Sequence, residues 1–166
     1  LLFKFEKKYF NFNNFSTTFI GHPVFNIKTR KNKNLNKYIA FMPGSRENEI
    51  KKLFPYFDTI ENYIYNNELK WKIFIPTLPH LKEIVKIRSK SWKTETIISV
   101  DYDNFDKYFE NVFLCITCSG TASLEIAKRN IPQLIIYKLN FFTELIAKKF
   151  IKVKYANLLN ILENKL

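Results

Sequence analysis

Short runs of apolar residues alternate along the chain with longer segments whose apolar residues recur at helical spacing. A continuous apolar run of about five to seven residues is typical of a strand buried on both faces of a sheet. Five such runs predict strands over residues 38–42, 71–77, 94–100, 112–117 and 132–138. A further short strand is expected over residues 16–20.

The intervening segments predict helices. In residues 47–66 the apolar positions lie three or four apart, as on one face of an amphipathic helix, although Pro55 is expected to break or kink it. Other helices are predicted over residues 78–90, 104–112, 121–130 and 141–153. The polar, basic residues 28–37 predict a loop, and residues 154–166 give no clear pattern.

Strands that alternate with helices predict an α/β fold, with a Rossmann-like parallel sheet covered by helices on both faces. A chain of 166 residues is expected to form mainly one domain. Ligands of such sheets bind at the carboxyl ends of the strands, near the point where the strand order reverses. The turns that follow the strands are therefore the places to look for chemistry.

The net charge of +12 favours an anionic partner, such as a phosphate ligand or an anionic membrane surface. The alternative is compositional, because Lys, Asn, Ile and Phe are abundant together in this chain. No nucleic-acid-binding motif accompanies the charge, so no nucleic acid is expected as a partner. No apolar run is long enough to suggest a membrane-spanning helix.

Cys115 and Cys118 form a CxxC pair in or beside the fourth predicted strand. Such a pair could belong to a metal or redox site, but no second Cys pair and no nearby His accompany it. Buried free thiols are the favoured interpretation, and no metal site is predicted.

The turn after the fourth strand contains Ser119, Gly120 and Thr121. Glycine permits close backbone approach, and the helix that follows offers free N–H groups, so the turn can cradle a phosphate. The alternative is an ordinary helix cap made by Ser119 or Thr121. Glu125 follows about one helical turn later. It could accept hydrogen bonds from ribose hydroxyls, or it could be a solvated helix residue.

The turn after the first strand contains Gly44, Ser45 and Arg46, followed by Glu49. Arg46 could offer its guanidinium to a phosphate. The alternative is a capping box in which Ser45 caps the helix, and both interpretations can hold together. Arginine at a helix start opposes the helix dipole, which favours a ligand role.

Five motifs in order give the chain a specific resemblance. They are FIGHP at 19–23, MPGSRENEI at 42–50, CSGTASLE at 118–125, Pro132 with YK at 137–138, and YANLLNIL at 155–162. Their order and spacing resemble the carboxyl-terminal half of lipid-A-disaccharide synthase, a family of inverting glycosyltransferases with the two-domain GT-B architecture. FIGHP and NIL weigh against another GT-B transferase.

The resemblance implies one half of a GT-B fold. Residues 1–20 would be the end of the amino-terminal domain and the interdomain connection, and residues 21–166 a UDP-sugar-binding domain truncated at its carboxyl end. The implied reaction transfers 2,3-diacylglucosamine from its UDP-linked form to 2,3-diacylglucosamine 1-phosphate. It gives lipid A disaccharide 1-phosphate and UDP, without a metal or cofactor. The implied location is peripheral, on the cytoplasmic face of the inner membrane.

The resemblance also implies residue roles. Ser119, Gly120 and Thr121 would cradle the diphosphate, and Glu125 would bind the ribose. Arg46, in a UDP-binding turn with Gly44 and Ser45, would stabilise the leaving UDP. Asn160 would lie in the nucleotide site, and His22 near the interdomain hinge.

The sequence departs from the family pattern at Lys4 and Leu159, where the family usually has proline. The amino-terminal domain of the family, which carries the acceptor site and the presumed catalytic base, has no counterpart among these residues. The isolated chain is therefore expected to be inactive. The alternative hypothesis is a non-catalytic remnant or subunit that binds a nucleotide sugar and needs a separate amino-terminal chain.

Overall fold

A computed structural model describes residues 1–10, 16–26, 38–118 and 120–136 of the chain. The strands are β1 (Tyr38–Met42), β2 (Lys72–Pro76), β3 (Thr96–Ser99), β4 (Val112–Cys118) and β5 (Gln133–Ile136). The α-helices are α1 (Lys7–Phe10), α2 (Glu47–Asn66), α3 (Lys82–Arg88), α4 (Phe105–Phe109) and α5 (Thr121–Lys128). Short 3₁₀ turns cover Lys4–Glu6, Pro23–Asn26, Pro79–Leu81 and Tyr102–Asn104.

All five strands run parallel in one sheet, in the order β3-β2-β1-β4-β5. The chain builds the sheet outward from β1 through β2 to β3, then crosses to the other side of β1 to form β4 and β5. The order therefore reverses between β1 and β4, whose carboxyl ends lie level because Met42 pairs with Thr117. This is the position at which parallel α/β sheets open a crevice for ligands.

The strands alternate their apolar side chains between two cores. In β1, Ile39 and Phe41 join the core that also contains the buried faces of α2 and α3. Ala40, between them, joins the core that contains residues of α4 and α5. A parallel sheet that is buried on both faces explains why the strands are continuous apolar runs. The predicted α/β fold, with helices on both faces, is confirmed.

Helix α2 is continuous across Pro55, so the expected break is wrong. Pro55 lies on the exposed face of the helix. On the opposite face, Phe54 and Phe57 are almost completely buried. Burial of this apolar face offsets the backbone hydrogen bond that proline cannot make.

The expected strand over residues 16–20 does not form. The Ile20 N–H donates to the Leu1 carbonyl at 3.0 Å, but no sheet ladder extends from this bond. Phe19 and Ile20 are both exposed, so this segment lacks the buried apolar face that stabilises a strand. The predicted loop over 28–37, helix over 141–153 and tail over 154–166 lie outside the described residues.

The amino-terminal residues instead pack against the back of α5. Phe3, Val24 and Leu124 form a small third apolar cluster. Among the described residues, no helix is long and apolar enough to cross a lipid bilayer.

Candidate functional site

A cavity of about 400 Å³ lies at the carboxyl edge of the sheet, where the strand order reverses. It is bounded by the turn after β1 (residues 43–46), the end of β2 and the turn after β4, of which Gly120 and Thr121 are described. We call these two turns the first turn and the second turn. Predicted site residues from the two turns and from α5 line the cavity together: Gly44, Ser45, Arg46, Gly120, Thr121 and Glu125. Ser119 and Asn160 lie outside the described residues.

The first turn is closed by the carboxylate of Glu49. Glu49 Oε2 accepts hydrogen bonds from the backbone N–H groups of Ser45 at 2.8 Å and Arg46 at 3.2 Å. The N-cap of α2 is Arg46, with an extended backbone (φ −130°, ψ 145°), so the prediction that Ser45 caps the helix is wrong. Glu49 occupies the third position of α2 and makes the carboxylate half of a capping box.

Gly44 explains how the carboxylate reaches so far back. Its φ of +106° lies in the region that favours glycine, and an added Cβ would sit 2.2 Å from Glu49 Oε2. The N–H groups of Ser45 and Arg46 already donate to Glu49, so the group that the first turn can offer to a ligand is the Arg46 side chain. The Arg46 side chain is 79% exposed, and its Nη1 is 3.1 Å from Glu49 Oε1. The guanidinium is thus held at the cavity rim and retains free donors.

The second turn has a different construction. Gly120 is the N-cap of α5, with φ +139° and ψ −159°, and no side chain caps the helix. The prediction that Thr121 caps α5 is therefore wrong, and Ser119 is outside the described residues. Ser123 directs its N–H at 3.1 Å and its hydroxyl at 2.7 Å to the Gly120 carbonyl.

The start of α5 leaves backbone donors open. The first N–H groups of a helix have no partner inside it, and those of Thr121 and Ala122 have none elsewhere among the described residues. A Cβ on Gly120 would meet no atom within 4 Å, so the space in front of the turn is free. Open N–H groups, a helix dipole and free space together suit an anion.

Glu125 is not the solvated residue of the alternative interpretation. Its side chain is 15% exposed, and Glu125 Oε1 accepts a hydrogen bond from Arg129 Nη2 at 2.9 Å. The Arg129 side chain is itself only 4% exposed. It also forms an ion pair with Asp106 of α4, and its guanidinium stacks on the Phe109 ring at 4.6 Å.

Arg129 and Asp106 were not among the residues predicted for the site. The spacing of Glu125 and Arg129, four residues apart on a predicted helix, was a readable signal for an ion pair. Asp106 carried no such signal, because it lies 23 residues from Arg129 and meets it through packing of α4 against α5.

Tyr102 and several apolar residues complete the cavity wall and were also missed. Burial raises the pKa of the Tyr102 phenol, and the nearby Glu125 carboxylate raises it further. Leu78, Phe105 and Phe109 line the same wall. The cavity therefore combines an apolar side with a rim of hydrogen-bond donors, a combination that suits an amphiphilic or aromatic ligand that carries negative charge.

The cysteines behave as the sequence predicted. Cys115 is buried and Cys118 half-buried, and both are free thiols. Burial raises the pKa of Cys115 well above its usual range and raises that of Cys118 to about 11. Both thiols are therefore protonated near neutral pH. The described residues bring no third metal-binding side chain to this pair.

His22 is almost completely buried between aromatic rings, 5.4 Å from Phe3 and 6.4 Å from Phe25. Its Nδ1 accepts a hydrogen bond from the Val24 N–H at 3.1 Å, which fixes the chain direction after Gly21. His22 therefore holds residues 16–26 in shape beside α5. It does not line the cavity.

An open parallel sheet with a cavity at its switch point defines a Rossmann-like α/β protein, with the cavity where this class binds ligands. Sequence comparison then gives the family. The family model described as lipid-A-disaccharide synthetase matches residues 1–166, so the chain belongs to the lipid-A-disaccharide synthase family. The resemblance inferred from the five motifs is confirmed.

Curated relatives bear the same name. A lipid-A-disaccharide synthase of Rhodospirillum centenum is 28% identical over 173 residues, which cover 97% of this chain and 43% of the relative. One from Helicobacter pylori (strain Shi470) is 32% identical over 149 residues, covering 89% of this chain and 41% of the relative. One from Granulibacter bethesdensis is 28% identical over 175 residues, covering 99% and 44%. The chain thus spans less than half the length of these relatives.

Proposed function

We propose that this chain forms the UDP-sugar-binding part of a lipid-A-disaccharide synthase. The reaction of the whole enzyme would move 2,3-diacylglucosamine from its UDP-linked form to 2,3-diacylglucosamine 1-phosphate. The products would be lipid A disaccharide 1-phosphate and UDP. Family membership and the parallel sheet support a glycosyltransferase of this kind.

The observation that carries the proposal is the convergence of the first and second turns on one cavity at the switch point. One turn supplies a guanidinium and the other supplies open backbone N–H groups. A diphosphate carries charge at two neighbouring phosphates, so it can engage both turns at once. This fits the donor of a sugar transfer, whose leaving group is a diphosphate.

In the proposed mechanism, a hydroxyl of the acceptor attacks the anomeric carbon of the donor sugar as the bond to the diphosphate oxygen breaks. Direct displacement inverts the anomeric centre, and no metal takes part. Negative charge grows on the departing UDP. Arg46 and the N–H groups of the second turn, with Ser119, would stabilise that charge where it develops. Glu125 would accept hydrogen bonds from the ribose, and Asn160 would contribute to the nucleotide site.

The remaining parts of the reaction are proposed to lie outside the 166 residues. The base that takes the proton of the acceptor hydroxyl, and most of the acceptor site, would come from an amino-terminal domain. Residues 1–20 would be the end of that domain and the connection to it. The chain alone would then bind the donor nucleotide without turning it over. A net charge of +12 supports a peripheral position on the anionic, cytoplasmic face of the inner membrane.

A second candidate is a non-catalytic subunit or remnant that holds a nucleotide sugar beside a separate amino-terminal chain. The observation that supports this candidate is that the chain spans less than half the length of each relative. Affinity purification of the tagged chain from its native cells distinguishes the two. A stoichiometric partner that restores sugar transfer in vitro supports the subunit.

Titration calorimetry of UDP into the purified chain tests the proposed donor site. We expect micromolar to millimolar affinity, and a loss of about tenfold or more in Arg46→Ala, because a charge-assisted contact to phosphate is removed. Arg88→Ala is the matched control, since Arg88 is exposed in the last turn of α3, outside the cavity lining. We expect it to change the affinity by less than about twofold.

Two outcomes contradict the proposal at different levels. Equal affinity in Arg46→Ala and the unsubstituted chain removes Arg46 from the site. Failure of the folded, unsubstituted chain to bind UDP at millimolar concentration shows that these residues do not form a donor site by themselves.

A further inference from the structure

Behind the cavity wall, one buried arginine holds two carboxylates that come from different helices. Arg129 directs Nη2 to Glu125 Oε1 at 2.9 Å and Nη1 to Asp106 Oδ1. The Arg129 side chain is 4% exposed, whereas those of Glu125 and Asp106 are 15% and 27% exposed. The arginine therefore lies deeper than either carboxylate and does not itself line the cavity.

The position of the guanidinium is fixed on more than one side. Its carbon lies 4.6 Å from the centre of the Phe109 ring, and its two terminal nitrogens point to α5 and α4. Only a planar fork can stack on a ring and donate to two carboxylates at once. A lysine at this position would be a single point charge with three rotatable donors.

This arrangement restricts the Glu125 side chain, which would otherwise sample several rotamers. The bond to Arg129 occupies one side of Oε1, and Glu125 still borders the cavity. A carboxylate has about four acceptor positions, so Glu125 can accept further hydrogen bonds while it is bonded to Arg129. Glu125 is thus oriented by Arg129 and still able to accept hydrogen bonds on the cavity side.

We propose that Arg129 is a positioning residue that orients Glu125 to accept hydrogen bonds from the ribose hydroxyls of the donor nucleotide. The inference rests on the proposed UDP site and adds a residue to it. Asp106 contributes by accepting a hydrogen bond from Nη1, the second terminal nitrogen of the same guanidinium. Selection for ribose over deoxyribose would then depend on a residue that never touches the ligand.

The test compares the affinities for UDP and 2′,3′-dideoxy-UDP in the full 166-residue chain, using calorimetry. The unsubstituted chain should bind UDP about tenfold more tightly than the dideoxy ligand, because a charged acceptor loses its hydroxyl donors. In Arg129→Met this preference should fall below about threefold, since Glu125 is no longer held. Arg129→Lys, which retains a charge without the fork, should lose most of the preference as well.

The ratio of the two affinities separates positioning from general stability. If Arg129 only stabilises the fold, both ligands weaken by the same factor and the tenfold ratio persists, which overturns the proposal. Circular dichroism and cooperative thermal unfolding check each variant. If Arg129→Met does not fold, the ratio of the UDP and dideoxy-UDP affinities in Arg129→Lys tests the proposal instead. Arg88→Met is the matched control and should leave the ratio unchanged.

The same data distinguish this inference from the proposed function. If the unsubstituted chain binds UDP but shows no preference over the dideoxy ligand, the proposed contact of Glu125 with the ribose is wrong. The proposed UDP site is then still supported. If the chain binds neither ligand, both the proposed donor site and the positioning role of Arg129 are wrong.

Discussion

The first and second turns are similar in sequence but offer a ligand different groups. Each follows a central strand, contains a glycine with positive φ and has a hydroxyl residue beside it. In the first turn, Glu49 occupies the backbone N–H groups, and the site contribution is the exposed Arg46 side chain. In the second turn, no described residue outside α5 accepts from the N–H groups of Thr121 and Ala122 at the start of the helix.

The residue at the third helical position makes this difference. In α2 that residue is Glu49, whose carboxylate reaches back to accept hydrogen bonds. In α5 it is Ser123, which instead donates its hydroxyl to the Gly120 carbonyl. A glycine and a hydroxyl residue between a strand and a helix therefore do not define an anion site. An acceptor one turn into the helix decides whether the N–H groups are already occupied.

The largest effect that separates the turns is expected from alanine at the two glycines. Gly44→Ala should lower the free energy of unfolding by about 2–4 kcal/mol, because the new Cβ is strained and collides with Glu49. Gly120→Ala should cost about 1–2 kcal/mol, since its φ is unfavourable but its Cβ meets nothing. Equilibrium unfolding in urea measures both. Equal losses would show that the collision at Gly44 is relieved without cost.

A smaller effect is expected from removal of the carboxylate that closes the first turn. Glu49→Ala should destabilise the chain by about 1 kcal/mol, because two N–H groups lose their acceptor. The matched control is Glu47→Ala on the same helical turn, where the carboxylate makes an exposed 3.4 Å pair with Lys51. That control should cost less than about 0.5 kcal/mol. If both variants unfold at the same urea concentration, the capping role of Glu49 is wrong.

The smallest and most local effect should appear in amide chemical shifts. Titration with inorganic diphosphate should shift the backbone N–H signals of Thr121 and Ala122 more than those of Ser45 and Arg46. The reason is that the latter pair already donates to Glu49. Two-dimensional nitrogen–proton spectra of the labelled chain measure this. Larger shifts at Ser45 and Arg46 would mean that the ligand displaces Glu49 from the first turn.

Most of the fold was predictable because its signals are local. Apolar runs such as Ile73–Ile75 predict strands buried on both faces, and the helical spacing around Phe54 and Phe57 predicts α2 despite the proline. The predicted strand at residues 16–20 failed for a tertiary reason. A strand needs a buried face as well as a hydrogen-bonded neighbour, and Phe19 and Ile20 are both exposed.

The site was predictable only in outline. The two marked turns pointed to strand ends that the topology places side by side. The residue that caps a helix is the last one with an extended backbone, and the sequence does not fix this position to within one residue. In α2 the cap is Arg46, one residue after the predicted Ser45. The ion pair between Arg129 and Asp106 depended on packing between helices. No spacing rule predicts such a contact.

The two ends of helix α5 contact different parts of the molecule. Its first residues border the cavity, while Lys128 in its last turn donates to the carbonyls of Val24 at 3.2 Å and Phe25 at 2.6 Å. The helix is eight residues long, or about 12 Å from end to end. A rotation of residues 16–26 must either break the bonds from Lys128 or carry α5 with it. Through Lys128, the amino-terminal segment is therefore bonded to the same helix whose first residues border the cavity.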